Sequence, residues 1–308
     1  MSPWLALLAV LVVAAGVAAY LVSGGSHPPR SCSGASCTTN PGNGGGPGGG
    51  SASRAGHRHA DTFHVSSTSP ASGASDIPSD TKVTVTFASP LASDQPDPTL
   101  SPKVEGSWQQ VAADELVFTP SSPFVPFRTY TLSIPGGHGG IADASGAHLE
   151  GTRTVSFTIA NGSRLRLQQL LAELGYLPLS YSGPTPTPLA MTAPQPGTFA
   201  WRWTGLPLEL TDQWVPGSAN AITKGAVMMF ETENGLSVDG LEGPDVWTTL
   251  LHDVASDKSN TEPVSYVIVT KFAPEHLTAW VNGALQFSRI PVNTGVPGAN
   301  TTDGTFQV

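Results

Sequence analysis

Four short segments in the first half of the chain alternate apolar and polar residues with a period of two. They lie at residues 82–87, 115–119, 129–134 and 154–159, and proline- or glycine-rich stretches separate them. This period places alternate side chains of a strand on opposite faces, so that one face can pack against a core. Short strands between turn signals are typical of a two-sheet sandwich, and we expect an all-β domain over residues 61–161.

Two motifs in this region resemble those of a bacterial Ig-like domain. Ser69-Pro70-Ala71-Ser72-Gly73 precedes the first strand, and Phe118-Thr119-Pro120-Ser121 follows further along. Domains of that family mostly act as spacers. The region also has no nucleophile, acid–base pair or metal-ligand set in its sequence, which agrees with a structural role.

Residues 162–258 carry the periodicity of helices. Four leucines recur at the spacing of one helical face: Leu167, Leu170, Leu171 and Leu174. They predict a helix over residues 164–174, capped by Ser163 and ended by Gly175. A second helix is predicted over residues 224–234, capped by Thr223, and a third begins at Pro244. The expected inner faces of these two helices are Ala226, Val227 and Phe230, and Val246, Trp247, Leu250 and Leu251.

The three helices resemble a peptidoglycan-binding domain. The similarity rests on residues 167–176, 226–231, 235–240 and 243–247. The family usually carries Gln where this chain has Glu231. The resemblance implies that the unit binds peptidoglycan.

An insertion at residues 181–217, which that family lacks, separates the first two helices. It carries Trp201, Trp203 and Trp214. Trp201 and Trp203 are expected to share one face of a strand, where they either stack on a sugar or seal the insertion onto the helices. We favour packing because large aromatic side chains dominate burial. Trp201 and Trp203 remain the candidate glycan-binding residues.

Residues 263–308 return to strand periodicity. Strands are predicted at residues 265–270, 277–281 and 284–290, the last two joined by Asn282-Gly283, a strong hairpin signal. Another strand is expected at residues 304–308. A sheet this small has open edges and little core, so we expect the N-terminal part of a larger domain.

These last residues resemble the opening of an L,D-transpeptidase catalytic domain. The similarity rests on Val281-Asn282-Gly283 and residues 290–295 and 301–306, with Thr302 where many members carry proline. In that family a Cys thiolate attacks a tetrapeptide stem, D-alanine leaves, and an amine of a neighbouring stem resolves the thioester. The resemblance places the His- and Cys-containing motif beyond Val308. We therefore assign no catalytic, cofactor-binding or metal-ligating residue in this chain, and expect it to be inactive alone.

The predicted fold class is thus multi-domain: an all-β Ig-like sandwich, a small three-helix peptidoglycan-binding unit and the start of an all-β L,D-transpeptidase catalytic domain. The favoured function is a cell-wall L,D-transpeptidase that cross-links peptidoglycan. A non-enzymatic, membrane-anchored peptidoglycan-binding protein and a structural stalk or adhesin are the alternatives. We interpret His252 and His276 as surface or structural residues, because neither has a nucleophile partner in the sequence.

The chain begins with an apolar run that carries no charge between residues 3 and 22. Twenty helical residues span roughly 30 Å, the thickness of a bilayer core. We expect a single-pass anchor at residues 1–23 that leaves the other domains outside the cytoplasm. A cleaved signal peptide, which would release the protein to the cell wall, is the alternative.

Residues 24–60 are rich in Gly, Ser and Pro and predict a flexible linker. The linker holds the only two cysteines, Cys32 and Cys37. We expect them to form either a loop-closing or an intermolecular disulfide, because an unstructured segment cannot supply a catalytic base. His57 and His59, with nearby His64, lack an ordered scaffold for a metal ion.

The charge distribution argues against nucleic acid as a partner. The formal net charge is −9, and all 23 acidic residues lie at or after Asp61. A nucleic-acid-binding protein needs a basic face, which this composition does not provide.

Overall fold

The computed structural model describes residues 62–296 and 298–306. The predicted anchor and linker, with Cys32 and Cys37, lie outside the described residues. Within the described ranges, no helix is both long enough and apolar enough to cross a membrane.

The first part of the described chain is a sandwich of two four-stranded sheets. Its strands are β1 (Val65–Ser69), β2 (Ala74–Ile77), β3 (Val83–Phe87), β4 (Thr99–Ser101), β5 (Gly106–Ala112), β6 (Glu115–Pro120), β7 (Thr129–Ile134) and β8 (Arg153–Ile159). One sheet has the order β1-β3-β6-β5 and the other β2-β8-β7-β4. The β2–β8 pair is parallel, whereas the other neighbours are antiparallel. All four predicted strands are confirmed.

The period of two explains how the sandwich closes. In β3 the side chains of Val83, Val85 and Phe87 are buried while the intervening threonines are partly exposed.

At the edge of the core, the buried Tyr130 hydroxyl accepts a hydrogen bond from the Val125 N–H at 3.0 Å. Burial raises the pKa of Tyr130, so the phenol stays neutral and keeps this turn in place.

The second part is a helical unit with an insertion. Its helices are α1 (Arg164–Glu173), the short α2 (Leu208–Thr211), α3 (Ala221–Glu233) and α4 (Pro244–Ala255); β9 (Leu179–Ser182) and β10 (Thr198–Trp201) lie between α1 and α2. The Ser163 cap and Pro244 start are confirmed. Gly175 at φ +83° ends α1, which also matches its predicted role. The predicted inner faces are buried, except that Leu251 is only partly covered.

The predicted start of α3 is wrong. The helix begins three residues earlier, at Ala221, and its N-cap is Asn220 rather than Thr223. The Asn220 carboxamide oxygen accepts the Thr223 N–H at 2.8 Å. Thr223 instead lies buried inside the first turn, where its hydroxyl accepts a hydrogen bond from Gln168 at 2.9 Å. Both residue types can cap a helix, and the tertiary contact with Gln168 decides between them.

Trp247 packs against the segment that leads from the sandwich into α1. Its side chain is fully buried. Gly162 lies so close that a Cβ atom there would come within 2.3 Å of the Trp247 ring. From the sandwich, Val125 and Phe127 pack against the same helical core, and Arg128 forms a 2.7 Å ion pair with Asp245.

The third part is an antiparallel meander of β11 (Ser265–Thr270), β12 (His276–Val281) and β13 (Ala284–Pro291). Asn282 and Gly283 form the predicted hairpin turn with φ of +48° and +74°. A two-stranded ribbon of β14 (Gly295–Val296) and β15 (Ala299–Asn300) follows. The strand predicted at residues 304–308 is not formed over 304–306. Just before these residues, Lys271 donates to the Thr301 carbonyl and forms an ion pair with the Asp303 carboxylate.

Glu231 occupies the position at which the resembling family carries Gln, and it closes the turn after α3. Its side chain is 1% exposed. One carboxylate oxygen accepts the N–H groups of Asp239 and Gly240 at 3.1 and 2.9 Å. Burial is the main reason that the pKa of Glu231 is raised above its ordinary value of 4.5, and the charge of Asp239 adds to the effect.

We predict that Gly162→Ala destabilises the protein by about 1–3 kcal/mol, because the new methyl group must displace a fully packed indole. Gly139→Ala is the matched control, since a Cβ at Gly139 meets nothing within 4 Å. Chemical denaturation monitored by tryptophan fluorescence measures the difference. Equal stability of the two variants would contradict the packing argument.

We also predict that Glu231→Gln stabilises the protein at neutral pH. A raised pKa means that the folded state binds the proton more tightly than the unfolded state, so stability falls as pH rises from about 4.5 through the folded pKa. Gln keeps an acceptor oxygen and carries no charge. Its advantage should therefore grow with pH and then level off in thermal denaturation curves. Exposed Glu209→Gln is the control, and a gain that is independent of pH would argue against this cause.

Candidate functional site

A pair of glutamine contacts holds the insertion to α1. Gln169, which is 1% exposed, donates from its side-chain nitrogen to the Gln195 carbonyl at 2.7 Å. Its side-chain oxygen accepts the Gln195 N–H at 3.0 Å. One side chain thus satisfies both backbone groups of a loop residue and fixes the loop against the helix.

Four aromatic side chains of the insertion cover the helical core without being fully buried. They are Tyr181, Phe199, Trp201 and Trp214. Phe199 contacts Trp214 edge to face, with ring centroids 5.2 Å apart and planes inclined by 70°. Tyr181 lies 5.3 Å from Phe199 on the other side. Since β9 and β10 pair antiparallel from Ser182↔Thr198 to Leu179↔Trp201, the hairpin sets the spacing of these rings.

A cleft of about 580 Å³ opens beside these rings. Aromatic and amide groups share its wall: Phe199, Trp201, Trp214, Gln169 and Gln195. Partly exposed indoles provide flat apolar surface, and the Gln195 side-chain oxygen provides a hydrogen-bond acceptor. This combination in a cavity of this size suits a small ligand with both apolar faces and polar groups. We refer to it as the aromatic cleft.

The structure separates the two predicted tryptophans. Trp201 ends β10 and lines the aromatic cleft, and its packing on the helical core agrees with the favoured interpretation. Trp203 lies beyond the strand, so the prediction of a shared strand face is wrong. Its ring contacts the hairpin turn, where a Cβ on Gly283 would lie 2.3 Å away, and the Arg202 guanidinium sits 4.7 Å from its centroid.

Sequence reasoning missed Gln169, Phe199 and Gln195 as members of the cleft. A glutamine between helix leucines has the pattern of a solvent-facing residue, and nothing in its spacing signals a partner 26 residues away. Trp214 was noted as an aromatic of the insertion but not as a neighbour of Trp201.

The turn after β13 is tightly organised. The Glu275 carboxylate accepts the Thr294 N–H at 2.8 Å, and Asn293 caps the Gly295 N–H through its side-chain oxygen at 2.8 Å. Hydrogen bonds from the Thr294 side chain and backbone lower the pKa of Glu275. Gly295 has φ +106° and its Cα lies against the Ala299 carbonyl, so only glycine fits there.

The described residues hold no group of three or more His, Cys, Asp or Glu side chains suited to a metal ion. The sequence has no cysteine beyond Cys37. His252 is 74% exposed and pairs with Asp253, and the His276 ring contacts the Pro274 carbonyl at 2.9 Å. His64 contacts the Thr62 carbonyl, while His57 and His59 lie outside the described residues.

Comparison with protein families gives one match. Residues 60–159 match the family described as bacterial Ig-like domain. The match covers the two-sheet sandwich, and the regular structure of the described residues is mostly β-sheet, with this Ig-like domain and a few helices. No curated protein matches the chain.

Three solved structures show limited similarity. L,D-transpeptidase 3 from Mycobacterium tuberculosis is 16% identical over 32% of this chain and 37% of its own, with a TM-score of 0.23. An L,D-transpeptidase from Mycobacterium smegmatis is 14% identical over 51% of this chain and 85% of its own (TM-score 0.24). The N-terminal part of the bacterial S-layer protein SbsC is 23% identical over 32% of this chain and 24% of its own (TM-score 0.25).

This chain spans little more than a third of the first of these structures. Because these TM-scores are all below 0.5, the similarities do not indicate what the chain does.

Proposed function

We propose that the chain binds peptidoglycan through the aromatic cleft, as part of a cell-wall L,D-transpeptidase. The single observation that carries the binding proposal is the cleft itself, where Trp201 and Trp214 stand beside Gln169 and Gln195. A sugar ring has apolar C–H faces and polar edges. Indoles can stack on the faces. The Gln195 side-chain nitrogen already donates to the Ala190 and Ala193 carbonyls, which leaves its oxygen to accept a hydrogen bond from a hydroxyl or acetamido N–H.

The enzymatic part of the proposal rests on the resemblance of residues 281–306 to the opening of the transpeptidase domain. The meander supports it in one physical respect: one face of the sheet is apolar and exposed. Val267, Val269, Phe287 and Ile290 are between 44% and 57% exposed. Such a face is suited to packing against a second layer of the same domain.

In the proposed reaction, the thiolate sulfur attacks the stem carbonyl carbon, and D-alanine leaves with the bonding pair and takes up a proton. An amine of a second stem then displaces the sulfur as thiolate and gives up a proton as the new amide forms. The residues of this chain would bind and present the polymer rather than break bonds. In L,D-transpeptidases, the nucleophile follows the segments that residues 281–306 resemble.

A non-enzymatic wall-binding protein is the second candidate. The observation that favours it is the aromatic cleft, because binding there needs only the lining side chains and no bond-breaking group. In either case, we propose that residues 3–22 anchor the chain in the membrane or direct its secretion. We propose that the 37 residues that follow act as a Gly- and Ser-rich spacer, for which polymer statistics give a reach of roughly 30–35 Å.

We predict that the full chain is retained on purified sacculi and that Trp201→Ala lowers its affinity about tenfold, the equivalent of about 1.4 kcal/mol. Phe272→Ala, which removes an aromatic that is 85% exposed and far along the chain, is the control. Equal affinity of the two variants, with circular dichroism showing both folded, would remove the cleft from the proposal.

We further predict that a carbapenem, an acyl-donor mimic for the resembling family, does not acylate this 308-residue chain. Catalysis would require a fixed base and oxyanion donors beside a cysteine, and from its Gly- and Ser-rich sequence we expect the linker to supply neither. Intact-mass spectrometry of the chain and of the Cys32→Ser/Cys37→Ser variant makes the test. An adduct on the first that is absent from the second would place the nucleophile in the linker and contradict the proposal.

A further inference from the structure

A second cavity lies between α1, the insertion and the C-terminal end of α4. It has a volume of about 570 Å³. Its wall is largely apolar, with Pro184, Pro186, Met191 and Val254, and one side carries the Arg166 and Glu173 pair. Tyr181 also contributes. This proline-lined cavity shares none of its lining residues with the aromatic cleft.

Arg166 is fully buried in the wall of this cavity. Its Nε donates to the Met191 carbonyl at 2.9 Å, and its Nη1 donates to the Glu173 carboxylate at 2.9 Å. Its Nη2 has no hydrogen-bond acceptor among the described residues and is itself covered, so a ligand reaches it only when part of the cavity wall shifts. A buried guanidinium nitrogen without an acceptor is costly, so the site favours a ligand that supplies one.

The charge of the site indicates a neutral acceptor. Glu173 already neutralises the guanidinium, and its carboxylate also lines the cavity. A second carboxylate or a phosphate would be held close to this negative charge in partly buried surroundings, which is unfavourable. A carbonyl oxygen accepts a hydrogen bond without adding charge, and the apolar wall suits a methyl or methylene group beside it.

We propose that the proline-lined cavity binds an amide group whose carbonyl oxygen accepts a hydrogen bond from Arg166 Nη2. This inference rests on the proposed function, because peptidoglycan offers such amides in two places. One is the acetamido group of its N-acetylated sugars, and the other is the peptide bond of its stems. The cavity would thus recognise the polymer at a second position, separate from the aromatic cleft.

Two variants test the cavity. Ala255→Phe places a ring at its mouth, on an exposed residue of α4. Thr248→Phe adds the same ring to an exposed position of the same helix outside the cavity, and is the matched control. Arg166→Lys keeps the positive charge next to Glu173 but removes Nη2. If Arg166→Lys does not fold, Ala255→Phe alone still shows whether the probes bind in the cavity.

The measurement is saturation-transfer NMR on the full chain in detergent with three probes. Di-N-acetylchitobiose carries sugar acetamido groups, cellobiose lacks them, and N-acetyl-dialanine methylamide carries peptide amides only. We expect at least one amide probe to bind, cellobiose to bind more weakly, and Ala255→Phe and Arg166→Lys to weaken binding on the order of tenfold. Binding of the sugar or of the peptide alone identifies the source of the amide.

The inference is overturned if neither amide probe binds, if neither amide probe binds more tightly than cellobiose, or if Ala255→Phe behaves like Thr248→Phe. Retention on sacculi separates this failure from failure of the proposed function. Loss of retention in Trp201→Ala but not in Ala255→Phe leaves the proposed function standing and removes this inference. If amide binding depends on the cavity but the chain is not retained on sacculi, this inference stands and the proposed function fails.

Discussion

Three buried polar side chains on α1 hold the insertion in place, and both cavities depend on them. Gln168 accepts the Gly217 N–H at 2.7 Å and donates to the Ser218 carbonyl, so it fixes the end of the insertion. Gln169 and Arg166 fix its middle through Gln195 and the Met191 carbonyl. The leucines of the same helix form the hydrophobic core. Hence α1 is buried on both sides, by apolar contacts on one and by hydrogen bonds on the other.

The regular parts of the fold follow from local patterns. Strands β3, β6, β7 and β8 were predictable because one face is buried and the period is two. Helices α1 and α4 were predictable because caps and apolar spacing agree. The Asn282-Gly283 turn was predictable because few other pairs adopt two positive φ values without strain.

The candidate site was predictable only in part, and the reason is physical. Trp201 was identified as an aromatic of the insertion, but the cleft around it is fixed by pairs such as Gln169 with Gln195, which have no period. Arg166 has the sequence signature of a solvent-facing helix residue and is nevertheless fully buried. Its burial depends on a loop that returns 25 residues later, and no local rule contains that information.

The parallel pairing of β2 with β8 has a mechanical consequence. The sandwich begins near residue 62 and passes into α1 just after β8, so tension along the chain pulls on the C-terminal end of β8. This strand lies between β2 and β7, bonded on both edges. A pull along its axis loads the backbone hydrogen bonds of both edges together in shear, whereas a hairpin pulled from its open end unzips one bond at a time. With Trp247 packed over Gly162 at its exit, β8 is a strand suited to bearing load.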